Sequence, residues 1–298
     1  MADPFRTRDH VPGFDTHVRA FAERSAATRA RLPMLADVPY GPWPEERLDL
    51  FFPAPGAATG AVHMFVHGGY WRMFSKNDFS FVAETVTRAG AIAAIIDYAL
   101  MPAVRMDVIV DQVRRAKSWI GAHIAEYGGD PCRLTLSGHS AGAHLCSLIM
   151  GARGVPTGVE AAFLLSGLYD LAPLQGSFLQ NEIALTNAEV ERFSPLRLPH
   201  DPAVRVSLLV GEKETTPFHE QAAAFASHLT TQGLAVGTSI LADGDHMSVV
   251  ADLGMPESNT GHLLAMLIAG PSGSAASPGG YQHGPRRDGD RARALPRP

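Results

Sequence analysis

The chain is poor in cysteine: among 298 residues only Cys132 and Cys146 carry a thiol. Two thiols build neither a disulfide framework nor a four-thiolate zinc site. Long apolar runs are lacking too. The longest, such as residues 89–96 and 263–270, reach about half of the ~20 residues that cross a bilayer, so no membrane partner is expected. Neither sign of charge dominates. Twenty-five Lys and Arg stand against 30 Asp and Glu, a net −5 that offers no basic footprint for nucleic acid. Charged residues make up only 18% and apolar residues 46%, which excludes disorder for the bulk of the chain. The first twenty residues carry charges throughout and contain no apolar stretch, so no secretory signal is read there and a cytoplasmic location is expected. No internal repeat and no mid-chain linker interrupts the pattern.

The last 28 residues, 271–298, differ from everything before them. They hold five Pro, five Gly and three Ser, with Tyr281 and Leu295 as the only large apolar groups. Burial cannot offset the ordering entropy of such a segment, so a disordered tail is expected. It carries five Arg and two Asp, a charge of +3 that leaves −8 on residues 1–270.

Within residues 1–270, short apolar runs alternate with longer helical patterns. That alternation predicts one α/β domain, a mainly parallel twisted sheet with helices on both faces. Strands are predicted at 47–52, 61–67, 91–97, 134–137, 161–165, 204–210 and 236–241. Helices are predicted at 14–31, 77–89, 106–126, 140–150, 218–232 and 257–269. The first helix leads into a turn-rich stretch at 40–44, and whether it caps a functional site is left open.

One run carries chemistry. Arg133-Leu-Thr-Leu-Ser137-Gly138-His139-Ser140-Ala141-Gly142 reads as a strand, a G-x-S-x-G turn and the start of a helix rich in small residues. On such a turn the serine hydroxyl is thrust above the carboxyl edge of the sheet, and the following helix aims its amino end at it. The motif alone is common by chance, and its strand and helix flanks give it weight. Upstream, His67-Gly68-Gly69-Tyr70-Trp71 closes the strand Val62-His-Met-Phe-Val66. Tandem glycines at a strand end let backbone N–H groups approach a substrate, so Gly68, Gly69 and Ala141 are the expected oxyanion donors. Tyr70, Trp71 and His139 are candidates for binding substrate, with a core role for Trp71 equally open.

A serine nucleophile needs a histidine base and a carboxylate behind it, and on this architecture the order is serine, acid, histidine. Most of the thirteen histidines precede or flank Ser140 or fall in helical patterns; His200 enters a strand at the other sheet edge. His246 follows a strand in the polar loop Ala242-Asp-Gly-Asp-His246 and is the expected base. For the acid, Glu214 follows the strand immediately before the histidine strand and is preferred. Asp170 comes next, then Glu212. No metal is expected. His63 and His67 lie four apart on a strand, where such side chains stand about 13 Å apart, and Asp243, Asp245 and His246 are too tightly spaced to form a whole site.

These pieces resemble the α/β-hydrolase superfamily, and within it the group related to hormone-sensitive lipase and the serine-dependent arylformamidases. The resemblance rests on His67-Gly-Gly-Tyr-Trp71, Asp97-Tyr-Ala-Leu-Met-Pro102, Gly129-Asp-Pro131, Gly138-His-Ser-Ala-Gly142, Ser166-Gly-Leu-Tyr-Asp-Leu171 and the Gly211–Glu214 turn, and it spans Tyr40 to His246, about two-thirds of the chain. The HGG-x-W form, in place of the HGGG of many esterases, together with S-G-L-Y-D-L, is most similar to the kynurenine formamidases. That resemblance implies the triad Ser140, Glu214 and His246, no cofactor, and a small aryl formamide as substrate, N-formylkynurenine being the natural candidate. Two departures stand out: many formamidases carry Asp where Glu214 stands, and the related esterases carry Arg where Ala99 stands. A carboxylesterase for short acyl or aryl esters is the alternative, and a non-catalytic binding module on the hydrolase fold a more distant one, since such modules usually lack a triad group. A homodimer is compatible with the sequence and nothing in it argues for one.

Overall fold

In the computed structural model, which describes residues 2–152, 154–155 and 157–270, the apolar runs assemble into an eight-stranded sheet. Its strands are β1 (Met34–Pro39), β2 (Arg47–Phe51), β3 (Val62–Val66), β4 (Ile92–Ile96), β5 (Leu134–His139), β6 (Val159–Leu165), β7 (Arg205–Gly211) and β8 (Val236–Leu241). They lie in the order β1-β2-β4-β3-β5-β6-β7-β8. Every pairing from β4 through β8 is parallel, and β1 and β2 add an antiparallel margin. The predicted fold class therefore holds.

The inner strands are buried on both faces because both are apolar. Val62, Met64 and Val66 of β3 join Ile92, Ala94 and Ile96 of β4 in one core. Phe65 joins Ala93 and Ile95 in the other. The helices that cover these faces are α1 (Thr7–His10), α2 (Phe14–Arg31), α3 (Lys76–Phe79), α4 (Ala83–Arg88), α5 (Met106–His123), α6 (Ala141–Ile149), α7 (Gln180–Ile183), α8 (Asn187–Phe193), α9 (Thr216–Thr231), α10 (Ser248–Leu253) and α11 (Asn259–Ala269). Among the described residues no helix is long and apolar enough to cross a membrane. The predicted tail, 271–298, lies outside the described residues.

Two expectations need correction. The sequence predicts a helix that leads straight into a turn at 40–44, yet β1 intervenes. It is an outer strand with an exposure pattern that never buries a residue fully, and it bulges between Leu35 and Val38, where Asp37 takes φ 56°. Neither alternation nor an apolar run marks it. The single helix predicted over 77–89 is instead α3, a 3₁₀ turn over Ser80–Val82 and α4. Phe79, Phe81 and Val82 are all buried in the core around Phe21 and Phe65. An α-helix places residues 79 and 81 about 200° apart around its axis, so the tighter turn is what brings all three inward.

β4 lies on one side of β3 and β5 on the other, so the strand order reverses between β3 and β5. Crevices at the carboxyl ends of strands at such a reversal are where ligands bind in open α/β sheets. The carboxyl ends of β3 and β5 carry the two glycine motifs.

Candidate active site

β5 ends with Gly138 paired to Val66 and His139 paired to Leu165. The chain then turns at Ser140, whose φ 54° and ψ −117° no L-residue adopts without constraint. Two bonds fix the turn: the Ser140 N–H donates to the Leu165 carbonyl at 2.8 Å, and the Ser140 carbonyl accepts from His144 N–H at 3.1 Å as α6 begins. The flanking glycines are sterically required. A Cβ on Gly138 would strike the backbone of Gly142, and one on Gly142 would strike the carbonyl of Val66. With no side chain at either place, α6 packs directly on the end of β3 and sets Ser140 beside the glycine loop.

That loop presses as closely from its own side. A Cβ on Gly68 would lie 2.7 Å from the His139 carbonyl and 3.3 Å from Ser140 Cβ. Gly68 and Gly69 donate no backbone bond to an acceptor among the described residues. Ala141 is the first residue of α6, where an N–H has no intrahelical partner. Tyr70 and Trp71 follow with φ 50° and 58°. Anchors hold this contorted stretch: Tyr70 O–H donates to the Phe5 carbonyl, Met101 N–H to the Trp71 carbonyl at 2.7 Å, and Trp71 Nε1–H to His144 Nδ1 at 3.2 Å. His144 in turn donates from Nε2 to the Phe193 carbonyl at 2.8 Å. Burial pushes its pKa down to about 4, in keeping with the neutral ring that accepting at Nδ1 requires. Trp71 is wholly buried, so its indole belongs to the core behind the loop rather than to a binding surface. Tyr70 faces the cavity described below.

His246 stands after β8. Its Nδ1 lies 2.7 Å from Glu214 Oε2. Glu214 Oε1 accepts from Ser166 Oγ–H at 2.5 Å and from Gly211 N–H at 2.8 Å. The carboxylate side chain is fully buried and that of His246 only 7% exposed. The two loops are stitched together by Glu212 N–H on the Leu241 carbonyl and Lys213 N–H on the Gly244 carbonyl. Of the three carboxylates weighed, the structure pairs Glu214 with His246. Glu212 caps the N–H of Asp243, and Asp170 accepts from Ala172 N–H and faces Arg197.

Ser140, His246, His139, Gly69 and Tyr70 all line one cavity. Its free space is about 30 Å³, where a single water needs ~10–15 Å³. Thr7 of α1 and Phe14 at the start of α2 also line it, with Phe74 and Phe79 adding aromatic wall. Past its first turn α2 serves the core, where Phe21 packs 5.1 Å from Phe81. His139 is 3% exposed and donates from Nε2 to the His246 carbonyl at 2.7 Å. His63 is a core residue, bonded to Thr135 and Ser137 hydroxyls. Among the described residues no three His, Cys, Asp or Glu side chains gather as a metal site would need.

The structure thus adds groups that sequence reasoning did not assign a role. Ser166, the second anchor of Glu214, lay in the S-G-L-Y-D-L motif without a visible function. Thr7 left no signal, because only the path of the chain brings it over a site built from residues far downstream.

Residues 63–250 match the family described as having the alpha/beta hydrolase fold. The chain belongs to this family. The kynurenine formamidase of Danio rerio is 29% identical to it over 246 residues, covering 80% of this chain and 83% of that protein. The one of Salmo salar is 30% identical over 250 residues, with the same coverage of both chains. Among solved structures, a putative thioesterase from Silicibacter sp. TM1040 superposes with a TM-score of 0.77 over 88% of this chain and 98% of that one, at 24% identity, a likeness that carries the fold alone. The resemblance read from the motifs therefore holds at the level of family, and this α/β-hydrolase is an enzyme of the hydrolase class.

Proposed function

We propose that this α/β-hydrolase cleaves aryl formamides, N-formylkynurenine being the natural candidate, to give formate and the free aromatic amine. The observation that carries the reading is the shared small cavity: it holds Ser140 and a His246 fixed by Glu214, and it is cramped enough to suit the one-carbon formyl group. The names and coverage of the two fish formamidases support the same substrate class. An aryl formamide as a whole exceeds this space, since small-molecule pockets usually span about 300–1,000 Å³. The aromatic ring of the substrate therefore lies beyond it.

In the proposed reaction Ser140 Oγ attacks the formyl carbon while His246 Nε2 takes its proton. The carboxylate of Glu214 holds Nδ1–H and stabilises the imidazolium that forms. The N–H groups of Gly68, Gly69 and Ala141 receive the oxyanion, each worth about 100-fold to 1,000-fold in turnover. His246 then protonates the leaving anilide nitrogen, and water repeats the sequence on the formyl-enzyme to release formate.

The test is a panel of N-formylkynurenine, acetanilides, and 4-nitrophenyl acetate and butyrate against the wild type and Ser140→Ala. Formamide turnover that vanishes in Ser140→Ala, with the melting temperature retained, is the expected result. Full activity in that variant would remove the mechanism. Ester hydrolysis rising with acyl length, and no formamide turnover, would replace the formamidase by an esterase.

A further inference from the structure

We infer that His139 is a positioning residue that sets the catalytic histidine from behind, a role distinct from binding substrate. The inference rests on the reading of His246 as the general base. His139 ends β5, whereas His246 follows β8, and in the sheet β6 and β7 lie between them. The bond from His139 Nε2–H to the His246 carbonyl, at 2.7 Å, spans that gap directly. The two rings also pack at 4.6 Å between centroids.

A carbonyl only accepts, so Nε2 of His139 carries the proton. The other ring nitrogen, Nδ1, lies against Gly68, 3.1 Å from where a Cβ on that residue would sit. The ring is thus wedged between the glycine loop and the base, one residue before the nucleophile. Burial holds its pKa well below the usual imidazole range, so it places no positive charge beside an imidazolium forming on His246. Glu214 holds the ring of His246 at Nδ1 while His139 holds its backbone. Two anchors, one at the end of β5 and one in the loop after β7, thus restrain His246 from both its ring and its backbone.

The test compares His139→Phe, which keeps the volume and ring packing but removes the donor, with His139→Gln, whose amide nitrogen reaches close to the former Nε2. Two readouts are taken for each: the rate of covalent labelling of Ser140 by a fluorophosphonate probe, and kcat and KM on the best substrate of the panel. Displacing a catalytic group by about 1 Å costs roughly 100-fold. His139→Phe is therefore expected to lose about 10-fold to 100-fold in labelling rate and kcat with little change in KM, and His139→Gln to recover most of it. If the Phe variant does not fold, His139→Asn, whose amide is too short to reach the carbonyl, takes its place. A donor-less variant labelled within about threefold of wild type, equivalent to less than 1 kcal/mol, would overturn the inference and leave the serine-hydrolase reading standing. So would a folded Gln variant as slow as the donor-less one. A wild-type protein that takes no label at all would overturn both.

Discussion

Replacing Glu214 by Gln changes one atom and tests whether this carboxylate fixes the base. The carboxylate now accepts at both oxygens: Oε1 from Ser166 and Gly211, and Oε2 from His246. An amide has one oxygen and one NH₂. The two donors at the inner position claim the oxygen, because an NH₂ facing them would leave buried donors unpaired at about 1–3 kcal/mol. The NH₂ is then turned toward His246 and forces Nδ1 to accept. The neutral imidazole must carry its proton on Nε2, the nitrogen that should receive one from Ser140. In triads of this kind the wrong tautomer lowers kcat by about 10⁴-fold, equivalent to about 5.4 kcal/mol at 1.36 kcal/mol per decade. Steady-state kinetics on a formamide and on 4-nitrophenyl acetate should both show the loss in kcat, with KM much less affected. A Glu214→Gln variant within about tenfold of wild type on both substrates would mean that the Glu214–His246 contact does not govern the chemistry.

Three further outcomes are expected. Gly68→Ala would place a Cβ 2.7 Å from the His139 carbonyl and 3.3 Å from Ser140 Cβ, so the loop must back away; kcat should fall about 100-fold, and an unaltered kcat would show that the Gly68 amide has no part in the reaction. Phe14→Ala enlarges the cavity that Phe14 lines and should raise the butyrate-to-acetate ratio of kcat/KM about tenfold, the scale of a change of a methylene or two in a hydrophobic pocket; a constant ratio would free Phe14 from any role in acyl selection. Finally, burial holds His63 at about 3 and His67 and His144 at about 4. Near pH 5 the unfolded chain, titrating at about 6.5, binds protons that the folded one does not, so stability is present above pH ~6.5 and lost as pH falls. Three such residues at about 2 kcal/mol each give about 6 kcal/mol at pH 5. Asp97, raised to about 6 chiefly by burial, acts in the opposite direction by only about 1 kcal/mol. Against a typical stability of 5–15 kcal/mol, the urea midpoint should drop by roughly half between pH 7.5 and pH 5. An unchanged midpoint would mean that these imidazoles are not held neutral by the fold.

How much of this was legible beforehand follows from where each signal resides. The inner strands announce themselves because burial on both faces demands continuous apolar runs, and β3, β4 and β6 were located to within two residues or better. The predicted end of β5 falls two residues short, since Gly138 and His139 look like the turn they lead into. β1 stayed hidden because an outer strand needs no apolar pattern, and the 3₁₀ turn at Ser80–Val82 because local sequence does not say which core its phenylalanines must reach. In the candidate site, the two glycine motifs were visible as motifs because their steric demands are local. The preference for Glu214 over Asp170 and Glu212 rests on strand order alone, since all three follow strands in similar loops.

The sequence by itself determined the class of sheet, the sharp turn at Ser140 and the glycine loop that meets it, because backbone sterics and apolar patterning act over a few neighbouring residues. Only the tertiary structure decided which carboxylate faces His246, that Ser166 stands behind it, that Thr7 and Phe14 line the cavity, and that His139 grips a residue 107 positions away. Those contacts join loops from different strands, and their distances are set by how the whole sheet twists and packs, a quantity that no short stretch of sequence carries.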